Sequence, residues 1–431
     1  MRILVIGAYG LIGGYVAARL NADGHEVVGA GRDVAMAQRR FASLRWVKAD
    51  LARMTVEDWA PPLAGVEAVV NCAGALQDNP RDDLEAVHAG GLERLLDACA
   101  SAGVRRFVHL SAASVEEGRP TAFNTTKWKG EGVVEASDVD WVILRPGLVL
   151  APAAYGGTAL LRGLAAFPLC LPVVFAQSRI QTVFIDDVVE AVVRSLAPGA
   201  PARVKIDLVH PNDVRLGELV ASLRAWLGLK PAPIVPVPAF VARSTALISD
   251  ALAWFGWRSP MRTAAVEQLR LGVGGDGGAA RRALGIELRS LLQTLAAWPS
   301  SVQDRWFARL YFVKPALLVG LSLFWILSGV IGLTAGSPGA VAVVRSTGLP
   351  DATAATFAAL GGGVDIALGC LLAFRRYTRV ALLGMLAVSA AYLIGGSLWA
   401  PGLWSDPLGA LLKVVPVMLA TCATLAMLDE R

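Results

Sequence analysis

The sequence predicts a doubly wound parallel α/β domain followed by an all-α membrane domain of four transmembrane helices. Three observations lead there: a glycine-rich turn between an apolar strand and a helix at the start of the chain, strand and helix alternation over the first 300 residues, and a collapse of charge density after Lys314. Of 431 residues, 17% are charged and 55% are hydrophobic, against about 25% charged in ordinary soluble proteins. From Pro315 to Leu428 there are eight charged residues in 114 positions, whereas the first 314 residues carry 64, so the proportions are 7% and 20%. The low charge and high hydrophobicity exclude a disordered chain. Cys72, Cys99, Cys170, Cys370 and Cys422 form no Cys-x-x-Cys pair, which excludes a disulfide scaffold and leaves them as small apolar residues, with no metal expected. A net charge of +5 without a long basic run argues against a nucleic-acid partner. Met1-Arg2 leads at once into a strand-like run too short for the core of a signal peptide, so the amino-terminal domain is expected in the cytoplasm.

Ile3-Leu4-Val5-Ile6 reads as a strand buried on both faces. It enters Gly7-Ala8-Tyr9-Gly10-Leu11-Ile12-Gly13, after which Tyr15–Leu20 has helical character and His25–Ala30 reads as a second strand. Glycines in such a turn permit positive φ and bring backbone N–H groups close to a pyrophosphate at a helix amino terminus. That order predicts dinucleotide binding. The second strand ends in Gly29-Ala30-Gly31-Arg32-Asp33. Arg32 suits a ribose 2′-phosphate and favours NADP(H); Asp33 keeps NAD(H) as the alternative.

The alternation continues through Asp50-Leu51, a strand over Ala68–Asn71 leading into Asn71-Cys72-Ala73-Gly74, a helix over Leu84–Ala102, a strand and exit loop over Arg106–Ser114, and Leu144-Arg145-Pro146-Gly147. With the first glycine turn and Phe184-Ile185-Asp186-Asp187-Val188, this order resembles the atypical and extended short-chain dehydrogenase/reductases. The resemblance implies a Rossmann NAD(P)-binding domain over 1–300, with a substrate subdomain at about 150–300. It also implies cofactor contacts from Gly7, Tyr9, Gly10, Leu11, Ile12, Gly13, Arg32, Asp50, Leu51, Asn71, Cys72, Ala73, Gly74, Lys127 and Pro146.

In that superfamily a Tyr-x-x-x-Lys pair carries the chemistry; the corresponding segment here is Phe123-Asn124-Thr125-Thr126-Lys127. A phenylalanine has no exchangeable proton and cannot act as a general acid or base. The resemblance leaves Lys127, Ser111 and Ser114 as catalytic candidates, with Tyr155 as a replacement group, beside the alternative that Phe123 packs and Lys127 only binds cofactor. His88, where relatives often have asparagine, is expected to be a satisfied helix histidine. Between Arg262 and Leu295, Glu267-Gln268-Leu269-Arg270-Leu271 and Ala283-Leu284-Gly285-Ile286-Glu287-Leu288 resemble the tail of relatives of the complex I alpha-subunit-nine accessory protein. Those relatives hold NADP(H) tightly and are largely structural.

Beyond an interfacial connector at 301–314, four spans are expected at about 315–333, 353–374, 380–398 and 408–428. Arg305, Arg309 and Lys314 precede the first, and Arg375, Arg376 and Arg379 lie between the second and third, against Arg345 alone in the other loops. That asymmetry places both termini in the cytoplasm of a cell whose inner membrane the chain spans. Trp306, Phe307, Tyr311 and Phe312 stand as an interfacial aromatic anchor. Four helices with Gly361-Gly362-Gly363-Val364-Asp365 and Gly395-Gly396 resemble the DoxX-like family from Lys314 to Leu428. Some members of the wider family are associated with quinone or sulfur redox partners.

Asp365 and Lys413 are the ionisable residues inside these spans and are expected to pair, with Lys413 reaching the interface as the alternative. Pro231, Pro233, Pro236 and Pro238 mark a stiff connector, and Phe240, Val241, Leu247, Ile248, Leu252 and Phe255 then form one helical face. That face is expected to pack on the substrate subdomain, with the membrane surface as the alternative. Two functions follow: a membrane-anchored NADP(H)-binding oxidoreductase acting on a quinone or other lipid-soluble substrate, or a non-catalytic NAD(P)-binding module for a membrane or respiratory partner.

Overall fold

Ile3, Leu4 and Val5 are fully buried because the strand they form is covered by helices on both faces. A computed structural model describes residues 1–78, 83–257, 259–407 and 409–428. Its strands are β1 (Arg2–Ile6), β2 (Glu26–Gly31), β3 (Arg45–Lys48), β4 (Ala68–Asn71), β5 (Arg106–Leu110), β6 (Asp140–Pro146), β7 (Leu148–Leu150), β8 (Leu171–Val174), β9 (Arg179–Ile180), β10 (Thr182–Phe184), β11 (Val204–Leu208), β12 (Val214–Arg215) and β13 (Ile234–Val237). Seven of them form one parallel sheet in the order β11-β6-β5-β4-β1-β2-β3. Strand order reverses between β1 and β4, where Ile6 pairs with both Ala30 and Asn71. In a doubly wound sheet the crevice at such a point is where a ligand binds.

The chain forms two units, Met1–Asp250 with Ser259–Ala308, and Ala251–Arg258 with Arg309–Arg431. In the first, helices Leu11–Ala22 and Ile185–Leu196 belong to the core on one face of the sheet, and Gly91–Ser101 and Ala122–Ala136 to that on the other. The expected helix over Leu84–Ala102 starts with a π turn, Ala86–Gly90, before continuing as Gly91–Ser101. Nor is 150–300 one block. Residues 183–208 return to the main sheet and its core, and Ala280–Leu288 packs there too, because β11 must cross back to pair with β6. A third core joins helices Gly156–Ala165 and Leu216–Trp226 to Leu171, Val173 and Ile180.

Among its described residues the second unit contains three helices long and apolar enough to cross a membrane: Val313–Leu333, Asp351–Leu372 and Thr378–Trp399. The expected fourth span differs. Leu408 lies outside the described residues, and the helix there is Val414–Ala426, 13 residues or about 20 Å at 1.5 Å each. Glycines set the packing of the first two spans. A Cβ on Gly329 would lie 2.4 Å from the Gly362 carbonyl oxygen, so the backbones approach as only small residues permit.

Asp365 is buried on this bundle and makes no ion pair with Lys413 among the described residues. Its Oδ1 accepts a 3.3 Å hydrogen bond from the Tyr392 hydroxyl, and Ser328 is a second hydroxyl partner. Lys413 is exposed at the residue preceding helix Val414–Ala426. The expected pairing fails because that helix starts six residues later than the hydropathy suggested.

Candidate nucleotide site

Gly7 leaves β1 at φ +74°, and a Cβ there would meet Ala73 N and the Cys72 carbonyl at 3.1 Å. A Cβ on Gly13 would lie 2.3 Å from the Gly7 carbonyl oxygen, so helix Leu11–Ala22 rests directly on the turn. Gly10 caps that helix without any side-chain hydrogen bond, and its first turn holds no acidic residue. The N–H groups of Leu11, Ile12 and Gly13 thus open on a cradle with positive potential, which fits a pyrophosphate.

Tyr9 lies over the end of β2: a Cβ on Gly31 would lie 2.2 Å from its ring, and its hydroxyl accepts from the Arg32 N–H at 3.3 Å. Arg32 itself is exposed. The neighbouring Asp33 is committed to a helix cap, its Oδ1 accepting from Met36 N–H at 2.9 Å. Asp50 accepts from Ala52 N–H at 3.2 Å in the turn after β3, while Leu51 is buried in the core.

Under the glycine turn the ends of β4 and β5 carry a buried polar layer. Asn71 Oδ1 accepts from Ala73 N–H at 3.1 Å, so its Nδ2 donates to His109 Nδ1 at 3.2 Å. His109 Nε2 is then the protonated nitrogen, and it is buried with no partner among the described residues. His88 is fixed by similar reasoning. Its Nε2 accepts from Ala75 N–H at 3.2 Å, so Nδ1 donates to Thr126 Oγ1 at 2.8 Å. Burial, helped by the Lys127 ammonium, pushes His88 down to about 2 and holds His109 well below the usual histidine range. Both imidazoles are neutral.

Lys127 is buried, and its Nζ donates to the Leu110 carbonyl at 3.0 Å. A Cβ on Gly74 would lie 3.4 Å from that Nζ and 3.6 Å from His88 Nε2, so Lys127, His88 and the Asn71–Gly74 turn share one place. Burial lowers Lys127 to about 8 against the opposing pull of Glu131. Phe123 packs edge-on against His88, with ring centroids 5.9 Å apart.

The two serines expected beside Lys127 have other partners. The Ser111 hydroxyl donates to Glu131, and the Ser114 hydroxyl, at φ +64°, donates to Gly274 O and accepts from Gly274 N–H, both at 2.8 Å. Tyr155 stands at the start of helix Gly156–Ala165, half-buried. Pro146 is buried at the end of β6, with its carbonyl accepting from Ala113 N–H at 2.8 Å. Cys72 is half-buried, and its N–H donates to Ile6 O at 3.0 Å.

Sequence reasoning missed Glu131. It is fully buried one turn after Lys127, and its Oε1 accepts from Arg145 Nε at 2.9 Å, with a second bond from Arg145 Nη2 to Oε2. Lys205 Nζ adds to this at 3.6 Å. The i,i+4 spacing of Lys127 and Glu131 was the available signal. A cavity of 390 Å³ borders Ser114, lined by Arg119, Arg179, Gln181 and Arg270 among others. A larger cleft of 560 Å³, around Arg19, Glu190 and Arg289, contains none of the expected site residues.

Residues 7–163 match the NAD(P)H-binding family, and residues 322–422 match the DoxX-like family. The chain joins an NAD(P)H-binding domain to a DoxX-like domain. Among curated proteins, it is 34% identical over 138 residues to the UDP-glucose 4-epimerase of Mycolicibacterium smegmatis, covering 30% of this chain and 44% of that one. It is 27% identical over 223 residues to the mitochondrial NADH-ubiquinone oxidoreductase 40 kDa subunit of Neurospora crassa, covering 50% and 57%. The chain spans only 25% of the length of several other mycobacterial relatives. The enzyme WbmG of Bordetella bronchiseptica, solved in complex with NAD, shares the fold of the NAD(P)H-binding domain at 19% identity and a TM-score of 0.52, over 69% of this chain and 93% of that one.

Proposed function

We propose that this chain is a membrane-anchored NADP(H)-binding oxidoreductase whose acceptor is a lipid-soluble, quinone-like molecule. The observation that carries the reading is the buried Lys127, set between the Asn71–Gly74 turn and a neutral His88 with Phe123 beside it. In this reading Leu11, Ile12 and Gly13 N–H groups hold the pyrophosphate, Tyr9 and Arg32 border the adenosine ribose, and Lys127 holds the nicotinamide ribose. Asp50, Leu51, Asn71, Cys72, Ala73, Gly74 and Pro146 complete the walls. A reduced nicotinamide, when bound, supplies a hydride; the other proton of a two-electron reduction comes from water or the substrate pocket. Reduction of a quinone-like ring to its hydroquinone therefore needs no phenol at position 123.

Commitment of Asp33 to its helix cap supports NADP(H), because it leaves the Arg32 guanidinium as the group suited to a 2′-phosphate. Arg32→Ala is expected to weaken NADPH binding about tenfold, about 1.4 kcal/mol, and to leave NADH unchanged. Calorimetry measures both, and equal losses would refute the assignment. The positive-inside pattern further supports a cytoplasmic NAD(P)H-binding domain on the inner membrane.

Engagement of Ser111 and Ser114 elsewhere, together with Phe123, favours a second reading: a non-catalytic module in which bound nucleotide stabilises a docking surface for a membrane or respiratory partner. Purification in mild detergent, identification of the retained nucleotide and a quinone panel separate the two. Oxidation of bound NADPH by a quinone supports the enzyme; tight nucleotide without turnover supports the module.

A further inference from the structure

Helix Ala239–Trp254 presents two unlike faces. Ala242, Ala246 and Ser249 are buried, Ala242 and Ala246 against Val266 with Val174, Phe175 and Met261 beside them. Phe240, Leu247, Ile248, Leu252 and Trp254 are 71%, 63%, 61%, 42% and 80% exposed. At 100° per residue these five fall within an arc of roughly 160°, opposite the narrow strip of small buried residues. The face with the larger side chains is thus the one that does not pack on the domain, contrary to expectation.

The carboxyl end of this helix identifies what covers that face. Ala251–Arg258 belongs to the membrane-spanning unit. There Phe255 packs against Phe374 with centroids 5.2 Å apart, Trp257 Nε1 donates to Ala373 O at 2.6 Å, and Arg375 N–H donates to Phe255 O at 3.0 Å. These partners lie at the turn joining spans Asp351–Leu372 and Thr378–Trp399, where Arg375, Arg376 and Arg379 gather. Such a turn, with tryptophan and arginine, sits at headgroup level. A 16-residue helix whose chain continues into that turn, bearing a broad apolar face interrupted only by Ser244, meets the conditions for lying in the interface.

We infer that helix Ala239–Trp254 is a membrane-surface helix whose apolar face is covered by lipid. Its polar side reaches the segment that follows the Asn71–Gly74 turn. Asp250 accepts from Gln77 Nε2 at 2.9 Å, Arg262 Nε at 2.9 Å and Thr263 Oγ1 at 2.7 Å, while Arg262 Nη2 donates to Asp78 O at 3.1 Å. Burial opposes ionisation of Asp250, but these bonds outweigh it and hold the carboxyl below the usual range. The segment after the Asn71–Gly74 turn is therefore clasped by the same helix that lipid covers.

The test uses the full chain in vesicles of phosphatidylethanolamine and phosphatidylglycerol, with p-benzoylphenylalanine replacing Leu247 or Ile248. A control carries it at Arg53, whose side chain is 83% exposed. These replacements leave the small buried face intact. Irradiation is expected to give phospholipid adducts at 247 and 248 at about tenfold the level at 53. Adducts to a second copy or to another protein at 247 and 248, or phospholipid adducts no more frequent than at 53, would overturn the inference. Nucleotide turnover plays no part in the readout, so failure here is distinct from failure of the oxidoreductase reading.

Discussion

Glu131 and Asp365 are both buried carboxyls on helices, and their surroundings are opposite. Glu131, in the NAD(P)H-binding domain, is met by Arg145, Lys205 and the Ser111 hydroxyl. Asp365, in the DoxX-like domain, has two hydroxyl partners, Tyr392 and Ser328, and no cation among the described residues. A water-surrounded domain can bury a carboxylate by assembling counter-charges and hydrogen bonds around it. A hydrocarbon-facing bundle has fewer charges to offer, and a hydroxyl suits a neutral acid as well as an ion. The same side-chain chemistry therefore does different work in the two domains: at Glu131 it ties strand to helix through charge, and at Asp365 it joins spans through hydrogen bonds.

One substitution applied to both positions tests that contrast. Glu131→Gln leaves Arg145 without its countercharge and is expected to destabilise the NAD(P)H-binding domain by about 3 kcal/mol, since breaking a buried pair costs more than the pair contributes. Thermal unfolding in mild detergent measures it, and a loss below about 1 kcal/mol would erase the distinction from Asp365. Asp365→Asn keeps an acceptor and adds a donor, so a change below about 1 kcal/mol is expected. A large loss there would instead mean that the ionised form is required. Tyr392→Phe removes one interhelical hydrogen bond and is expected to show the smallest effect, about 0.6 kcal/mol.

Lys127 extends the comparison to a buried cation and gives it a pH dependence of known sign. In the folded domain it titrates near about 8, below the ordinary 10.5. Between those values the unfolded chain holds the extra proton, so the stability of the domain rises as pH increases through this window. Lys127→Met should remove that rise. Nucleotide affinity should move the other way in the native protein, falling above pH 8 as the ammonium is lost, and should be lower and flat in the variant. Titration calorimetry from about pH 7 to 9 checks the affinity slope, and thermal unfolding from about pH 8 to 10 checks the stability slope.

Much of the NAD(P)H-binding fold was legible because its signals are local. The strand runs, the glycine turn and the Asn71–Gly74 turn each announce themselves within about ten residues, and the sheet brings them together at one crevice. Hydroxyl commitments were not legible, since Ser114 meets Gly274 across 160 positions of sequence. Helix Ala239–Trp254 exposes a second limit. Amphipathic spacing reveals that an apolar face exists, but packing was decided by the small side chains of Ala242, Ala246 and Ser249, which fit closely where Leu247 and Ile248 would not. The Asp365–Lys413 expectation failed for a third reason: hydropathy averages over a window, whereas the turn at Gly409, with φ +65°, delays the last helix until Val414.

The π turn at Ala86–Gly90 makes chain length itself a determinant of the site. A π turn accommodates one residue beyond what an α-helical ladder would hold, and His88 stands inside it, with its ring bonded on both sides to Ala75 and Thr126. Deleting a single residue between Leu84 and Gly91 would restore uninterrupted α geometry and swing the preceding residues by about 100°. Both bonds of the imidazole would then lose their aim although every named site residue remained in the sequence. In homologues, a one-residue gap in this segment would thus carry the weight of a substitution at His88.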